Sequence, residues 1–115
     1  MALGLNVSVE EKDKHKIVRL EGRLDATTTP ALEGKISKVL EQNKVHMLMD
    51  FSKVDYLSSA GMRLLLSAAK KVKAHGGKLV FCAMNDEVME IIKMAGFERI
   101  LAIYPSEEAA LKACG

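Results

Sequence analysis

The sequence contains no tryptophan, and aromatic side chains make up only 4% of its 115 residues. It therefore lacks the stacking platforms on which single-stranded nucleic acids bind. Net charge is also low, because 17 basic and 15 acidic side chains leave a formal charge of +2. A nucleic-acid-binding domain needs a concentrated basic face. These shortages predict a protein that makes no direct contact with nucleic acid.

Long apolar runs and a secretory leader are missing as well. No apolar run approaches the ~20 residues that cross a bilayer, and the first residues lack the basic and apolar regions of a signal peptide. A hydrophobic content of 49% is nevertheless enough for an ordinary core. We therefore expect a soluble cytoplasmic protein without membrane contact. No linker or repeat interrupts the chain, which predicts one domain over residues 1–115.

Cysteine is scarce, with Cys82 in an apolar run and Cys114 next to the last residue. There is no C-x-x-C motif, and the three histidines are far apart, whereas a structural zinc site takes about four closely organised ligands. A lone cysteine such as Cys82 is usually a small core residue. Because the glycine-rich nucleotide-binding motifs are also absent, the sequence predicts neither a metal site nor a cofactor.

The spacing of apolar residues changes several times along the chain, between a pattern typical of strands and one typical of helices. Two short apolar segments predict an opening hairpin with a solvated turn at residues 10–16. Thr29 is the predicted N-cap of a first helix, with Pro30 at its first position and Asn43 near its end. In the run Val45–Phe51, apolar residues occupy both odd and even positions, as in a strand buried on both faces. A loop is expected over residues 52–59.

The second half of the chain repeats a strand–helix alternation. A helix ends at Gly76-Gly77, a strand follows over residues 78–83, and Asn85 is the predicted N-cap of a third helix. A last strand is expected over Ile100–Tyr104, before a short final helix. The order β-β-α-β-α-β-α-β-α predicts parallel strands with right-handed crossovers beside one antiparallel hairpin. The predicted fold is α/β, a mixed sheet with helices packed against it.

The most unusual stretch leads from the buried strand at Asp50 into the second helix at Arg63. Strand-to-helix turns of this kind are the usual place for ligand or partner sites in α/β sheets. Residues 58–61 are all small, and the serine that begins the helix lies at the positive end of the helix dipole, which favours an anion. A serine there is, however, most often only an N-cap, and the turn Asp25–Thr29 is open to the same interpretation.

One candidate function is a small hydrolase or transferase that uses Ser59 together with nearby carboxylates. The motif G-x-S-x-G is absent, since the sequence reads L-S-S-A-G there, and His75 lies a helix length away. Asp25, Asp50 and Asp55 would form a carboxylate cluster only if their loops converged. The absence of a credible general base beside the serine argues against this enzymatic function.

The residues from Asp50 to Gly61, which read D-F-S-x-V-x-Y-L-S-S-A-G, resemble the signature of the anti-sigma-factor antagonists, the STAS family. The segment Gly22–Asp25 is similar to the G-x-L-D element of that family, and the likeness extends over roughly Leu5 to Leu111. The resemblance implies a single STAS-like domain with a mixed sheet of four or five strands. About four helices would pack largely on one face of that sheet.

The resemblance also implies a function in bacterial partner switching. In this family the unmodified domain binds an anti-sigma factor that is also a serine kinase, so that a sigma factor is released. The kinase then phosphorylates a serine of the antagonist, which dissociates, and a serine phosphatase restores it. A second possibility within the family is an interaction or sensory module that is never phosphorylated and binds another regulator or a small ligand.

Many members of the family read D-S-S-G or D-S-T-G, and the serine directly after the aspartate accepts the phosphate. Aligned on Gly61, that serine is Ser59, while Ser58 replaces the aspartate and is the second choice. The resemblance and the two strand-to-helix turns together predict a partner surface at one end of the sheet. Its predicted residues are Asp25, Thr27, Thr28, Ser58, Ser59, Ala60, Gly61 and Met62.

Overall fold

The fold is described by a computed structural model for residues 4–12, 14–41 and 45–114. The strands are β1 (Leu5–Lys12), β2 (His15–Leu24), β3 (His46–Leu57), β4 (Lys78–Cys82) and β5 (Ile103–Tyr104). The helices are α1 (Thr29–Leu40), α2 (Ser59–Ala74), α3 (Asp86–Met94) and α4 (Glu107–Cys114). The order of these elements along the chain is the predicted one.

A mixed sheet with the strand order β1-β2-β3-β4-β5 forms the centre of the molecule. β1 and β2 form the antiparallel hairpin, and each later strand pairs in parallel with the strand before it. Parallel neighbours need crossover connections, which α1, α2 and α3 supply. Met47, Leu48 and Met49 are fully buried in β3. The prediction of a central strand buried on both faces is confirmed.

The helices cover the two faces of the sheet unequally. α1, α2 and α3 pack on one face, over the larger hydrophobic core. α4 covers the other face, where Ala110 and Cys114 pack against Ile17, Leu48 and Val80. Four helices in a three-to-one division confirm the expectation that they lie largely on one face. In the described part of the chain, no helix is long and apolar enough to cross a membrane.

Both cysteines are buried between the sheet and α4. Cys82 is fully buried, and desolvation raises the pKa of its thiol to about 12. Desolvation also raises the pKa of the Cys114 thiol. Because a reactive cysteine needs an accessible thiolate, Cys82 packs as a small apolar side chain, as the sequence predicted.

The opening hairpin is longer than predicted. Most of the charged stretch 10–16 belongs to the strands, with Glu10 opposite Ile17 and Lys12 opposite His15. Lys14, at a φ of 68°, lies in the turn, and Asp13 lies outside the described residues. The prediction of a long turn was wrong because charged side chains are common on an edge strand, where they keep the edge from pairing with other chains.

The predicted loop over residues 52–59 was also wrong, because β3 continues to Leu57. Val54 and Leu57 are buried, while the residues between them face solvent. β2 extends equally far, and its Leu24 pairs with Leu57 after two register shifts. The polar residues make this part of β3 look like a loop in the sequence. Its pairing partner in β2 is 33 positions away, so no neighbouring residue indicates the pairing. The predicted site therefore lies at the end of two paired strands.

The helix ends in the second half follow their local signals. Asn85 Oδ1 accepts a hydrogen bond from the Val88 N–H at 2.8 Å, which confirms the predicted N-cap of α3. Gly76, just after the end of α2, has a φ of +80° that favours glycine. The last strand, β5, is shorter than predicted, because the N–H of Ile100 donates to Phe97 O in a turn. The predicted end of α1 at Asn43 lies outside the described residues.

Arg19 joins α4 to the sheet through three carboxylates. Its Nε lies 2.8 Å from Glu10, and its Nη1 lies 2.8 Å from both Asp50 and Glu107. The hydrogen bond from Arg19 lowers the pKa of Glu107. Desolvation raises the pKa of Asp50, but hydrogen bonds from Ser52 and Arg19 outweigh it, and the net shift is downward. The network therefore stabilises the folded state while these carboxyl groups are ionised.

We expect Arg19→Met to lower the free energy of unfolding at pH 7 by about 1–3 kcal/mol, between the values for exposed and buried ion pairs. Since the folded-state pKa values of Asp50 and Glu107 are depressed, their contribution is present above the ordinary carboxyl pKa of about 4 and is lost as the pH falls below it. Urea unfolding at pH 7 and pH 3 should therefore show a smaller difference at pH 3. Lys112→Met, which removes an exposed ion pair, is the control. An equal loss at both pH values would contradict the prediction.

Candidate functional site

The ends of β2 and β3 bring the two predicted turns together. Leu24 and Leu57 are pairing partners, so Asp25 and Ser58 follow the last residues of two neighbouring parallel strands. The N–H of Ser58 donates to Leu24 O at 2.9 Å, which ties the second turn to the end of β2. The two motifs thus share the carboxyl edge of the sheet, the usual place for a binding site in an α/β fold.

Gly61 allows the first turn of α2 to lie against the end of β2. A Cβ atom at this position would lie 2.7 Å from Leu24 O and 2.9 Å from Leu57 Cδ1, closer than nonbonded atoms pack. Any larger residue would push the start of α2 away from the sheet. Gly61 is itself buried.

The two adjacent serines have different environments. α2 begins at Ser59, and Ser58 is its N-cap. The half-buried Ser58 Oγ accepts a hydrogen bond from the Gly61 N–H at 3.1 Å. Ser59 is exposed, and its hydroxyl forms no hydrogen bond with any residue that the structure describes. The sequence did not decide which of the two serines caps α2. The structure shows that Ser58 does.

Asp25 organises the other turn. Its Oδ1 accepts hydrogen bonds from the Thr27 hydroxyl at 2.6 Å, the Thr27 N–H at 2.9 Å and the Thr28 N–H at 3.2 Å. The hydrogen bond from the Thr27 hydroxyl lowers the pKa of Asp25 most, and the hydrogen bond from the Thr27 N–H lowers it further. Asp25 therefore carries a negative charge at neutral pH beside the start of α2.

The predicted N-cap of α1 at Thr29 was wrong by one residue, since Thr28 occupies that position. The Thr28 hydroxyl does not cap the helix. It accepts from the Asp25 N–H at 3.0 Å and donates to Arg23 O at 2.9 Å. The hydroxyl is thus used to close the turn after β2, which a local helix-start pattern does not reveal.

Three of the predicted partner-binding residues are buried. Thr28 and Met62 are each only 5% exposed, and Gly61 is also buried. The side chains of Thr28 and Met62 therefore contribute little to the exposed surface of this structure. The predicted residues that reach the surface are Asp25, Thr27, Ser58, Ser59 and Ala60.

Two residues without a predicted role flank Asp25. The Arg23 Nε lies 3.6 Å from Asp25 Oδ2, and its Cζ stands 4.5 Å from the centroid of the Tyr56 ring. Tyr56 is 40% exposed, and tyrosine and arginine are enriched in protein interfaces. Strand alternation in the sequence does not identify Tyr56, because burial beyond Phe51 recurs at every third residue, at Val54 and Leu57, where the pairing of β2 and β3 shifts register.

A shallow cleft of about 330 Å³ lies between α1 and α2, next to the two turns. Its lining residues are Thr29, Pro30, Glu33, Ala60, Arg63, Leu64 and Ser67. Arg63 is exposed and forms no ion pair with any described residue. Its position four residues after Ser59 was visible in the sequence, but the cleft was not. The site therefore contains both a negative charge, at Asp25, and an unpaired positive charge.

In the described residues, the histidine considered as a general base lies far from Ser59. His75 lies at the far end of the 16-residue α2, about 24 Å from its start, where Nδ1 contacts Lys71 O at 2.8 Å. Asp50 and Asp25 pair with different arginines, Arg19 and Arg23, and nothing in these contacts supports the carboxylate cluster considered above. Within residues 4–12, 14–41 and 45–114, no group of three or more histidine, cysteine or carboxylate side chains is placed to hold a metal ion.

The fold and the site together define a small α/β domain whose exposed serine begins a helix at the carboxyl edge of the sheet. The STAS domain profile matches residues 6–110 of the chain. The chain belongs to the STAS domain family.

Several similar proteins are named as anti-sigma factor antagonists. BtrV of Bordetella bronchiseptica, named as an anti-sigma factor antagonist, is 28% identical, with 95% of this chain and 94% of BtrV covered. The anti-sigma F factor antagonist of Paenibacillus polymyxa is 26% identical over the same shares. The crystal structure of an anti-sigma factor antagonist from Mycobacterium paratuberculosis superposes with a TM-score of 0.87 at 26% identity, over 96% of this chain and 93% of that one.

Proposed function

We propose that residues 1–115 form one STAS domain that acts as an anti-sigma-factor antagonist. In this role the unmodified protein binds an anti-sigma factor in the cytoplasm and so releases a sigma factor. The near full-length similarity to proteins named as such antagonists supports the proposal. The observation that carries it is the exposed Ser59 hydroxyl, at the first residue of α2 and beside the Asp25 turn.

The proposed partner is an anti-sigma factor with serine kinase activity. It transfers the terminal phosphoryl group of ATP to Ser59 Oγ, and a serine phosphatase later removes it. A kinase must reach the acceptor hydroxyl, and Ser59 is exposed where Ser58 is half-buried and engaged as the N-cap. These environments favour Ser59 as the acceptor, with Ser58 as the second choice. The domain is then a substrate of enzymes and performs no chemistry of its own.

Electrostatics explains why the modification would act as a switch. A phosphate adds about 1.5 to 2 negative charges at pH 7. It would lie near the ionised Asp25, whose turn is tied to the start of α2 by the hydrogen bond from the Ser58 N–H to Leu24 O, in the middle of the proposed contact surface. A docking partner would have to remove water from both anions together, which costs several kcal/mol unless new cations pair with them. Phosphorylation is therefore expected to release the partner.

A second candidate function is a STAS module that is never phosphorylated and binds another regulator or a small ligand. The observation that favours it is the absence of an aspartate before Ser59, where Ser58 stands and caps the helix. The site surface would then serve recognition alone.

Incubation with the cognate kinase and ATP, followed by intact-mass measurement, distinguishes the two functions. We expect the unsubstituted protein and Ser58→Ala to gain the mass of one phosphoryl group, and Ser59→Ala to gain none. Phosphate on Ser58, with Ser59→Ala still fully modified, would move the acceptor by one residue. If neither serine is modified by a kinase that is active on another substrate, the switch is wrong and the second candidate is favoured.

A further inference from the structure

Arg63 is placed to meet any group attached to Ser59. The two residues are four positions apart on α2, a spacing that puts side chains on the same face of a helix with Cβ atoms about 6 Å apart. Arg63 is exposed and lines the cleft together with Ala60. Arg19 and Arg23 are held by carboxylates, whereas Arg63 has no ion-pair partner among the described residues.

We propose that Arg63 is the intramolecular partner of the phosphate in the modified protein, and that it holds the phosphate over the cleft between α1 and α2. The inference rests on the proposed function, because it concerns the phosphorylated state of Ser59. A planar guanidinium donates two parallel N–H groups to phosphate oxygens, which a single point charge does not. The N–H groups of Ser59 and Ala60 lie in the first turn of α2, where no intrahelical acceptor exists.

The other charged groups near the cleft do not compete strongly for Arg63. Glu33 lines the opposite wall on α1, but its Oε2 lies 3.8 Å from the Lys71 Nζ and is shared with that lysine. A phosphate with nearly two charges is a stronger partner for Arg63 than this single carboxylate. The modified residue is thereby held in one position without unfolding the start of the helix.

The test uses protein in which phosphoserine is incorporated at position 59 during translation, so that no kinase is needed. The phosphate is titrated by ³¹P NMR in this protein and in the same protein carrying Arg63→Gln. An adjacent cation favours the dianion, so we expect the second pKa of the phosphate to be lower with Arg63 than with Gln. The expected difference is about 0.3–0.7 unit, a two- to fivefold change in the proton-dissociation constant.

Two further variants separate pairing from a general effect of charge. Arg63→Lys keeps the cation and should retain part of the shift. Lys70→Gln removes an exposed cation that lies farther along α2 and should leave the titration unchanged. Equal phosphate pKa values with and without Arg63, or an equal change with Lys70→Gln, would overturn the proposal. A cognate kinase that leaves Ser59 unmodified would contradict the proposed function and not alter this titration, so the two failures are distinguishable.

Discussion

Phosphorylation of Ser59 should weaken binding to the anti-sigma partner about a thousandfold or more. The phosphate adds up to two negative charges to a surface that already contains the ionised Asp25, and their burial under a partner costs several kcal/mol. Each ~1.4 kcal/mol changes a dissociation constant tenfold. Titration calorimetry with the unmodified and phosphorylated proteins measures the ratio of the two constants directly.

Substitutions at Ser59 provide the controls for this result. Ser59→Ala should bind as tightly as the unmodified protein, and it should stay bound in the presence of active kinase and ATP. Its stability should change by no more than about 0.5 kcal/mol, because Ser59 is exposed and the N-cap hydrogen bond belongs to Ser58. Ser59→Asp carries one charge and should weaken binding by less than phosphate does. Equal affinities of the phosphorylated and unmodified proteins would show that Ser59 lies outside the contact surface.

Leu48→Ala should lower the free energy of unfolding by about 2–5 kcal/mol, through the lost transfer free energy of the side chain and the cavity left behind. Leu48 is fully buried in β3, the central strand, on the face that α4 covers. The surrounding strands hold the backbone in place, so the cavity cannot readily collapse. Urea unfolding monitored by circular dichroism gives the change.

Val9→Ala is the matched control, because it also shortens an aliphatic side chain in a strand. Val9 is 41% exposed on the edge strand β1, and its replacement should cost less than about 1 kcal/mol. Similar losses for Val9→Ala and Leu48→Ala would contradict the packing of α4 against β3.

Elements that are specified by a few neighbouring residues were predicted well. Asn85 caps α3 through a hydrogen bond to a residue three positions later, and Gly76 ends α2 through its own backbone angle. The run Val45–Phe51 is apolar at five of its seven positions, and those five side chains are buried at the centre of the sheet. The order of strands and helices followed from such signals, because each depends on the identity and spacing of residues within about one turn or one strand.

Features that depend on distant partners could not be predicted in this way. β3 extends to Leu57 because Leu24 pairs with it, and the Thr28 hydroxyl closes the turn after β2 instead of capping α1. The approach of Gly61 to the end of β2 likewise exists only in the folded chain.

The difference between what the sequence determined and what the tertiary structure decided is clearest at the candidate site. The sequence alone determined that two small, polar turns follow β2 and β3, and that a serine begins the second helix. Tertiary structure decided that Ser58 is the half-buried cap and Ser59 the exposed hydroxyl, and that Arg63 lines a cleft with α1. The physical reason is that exposure and charge pairing depend on which elements pack together, whereas turn and helix starts are encoded by adjacent residues.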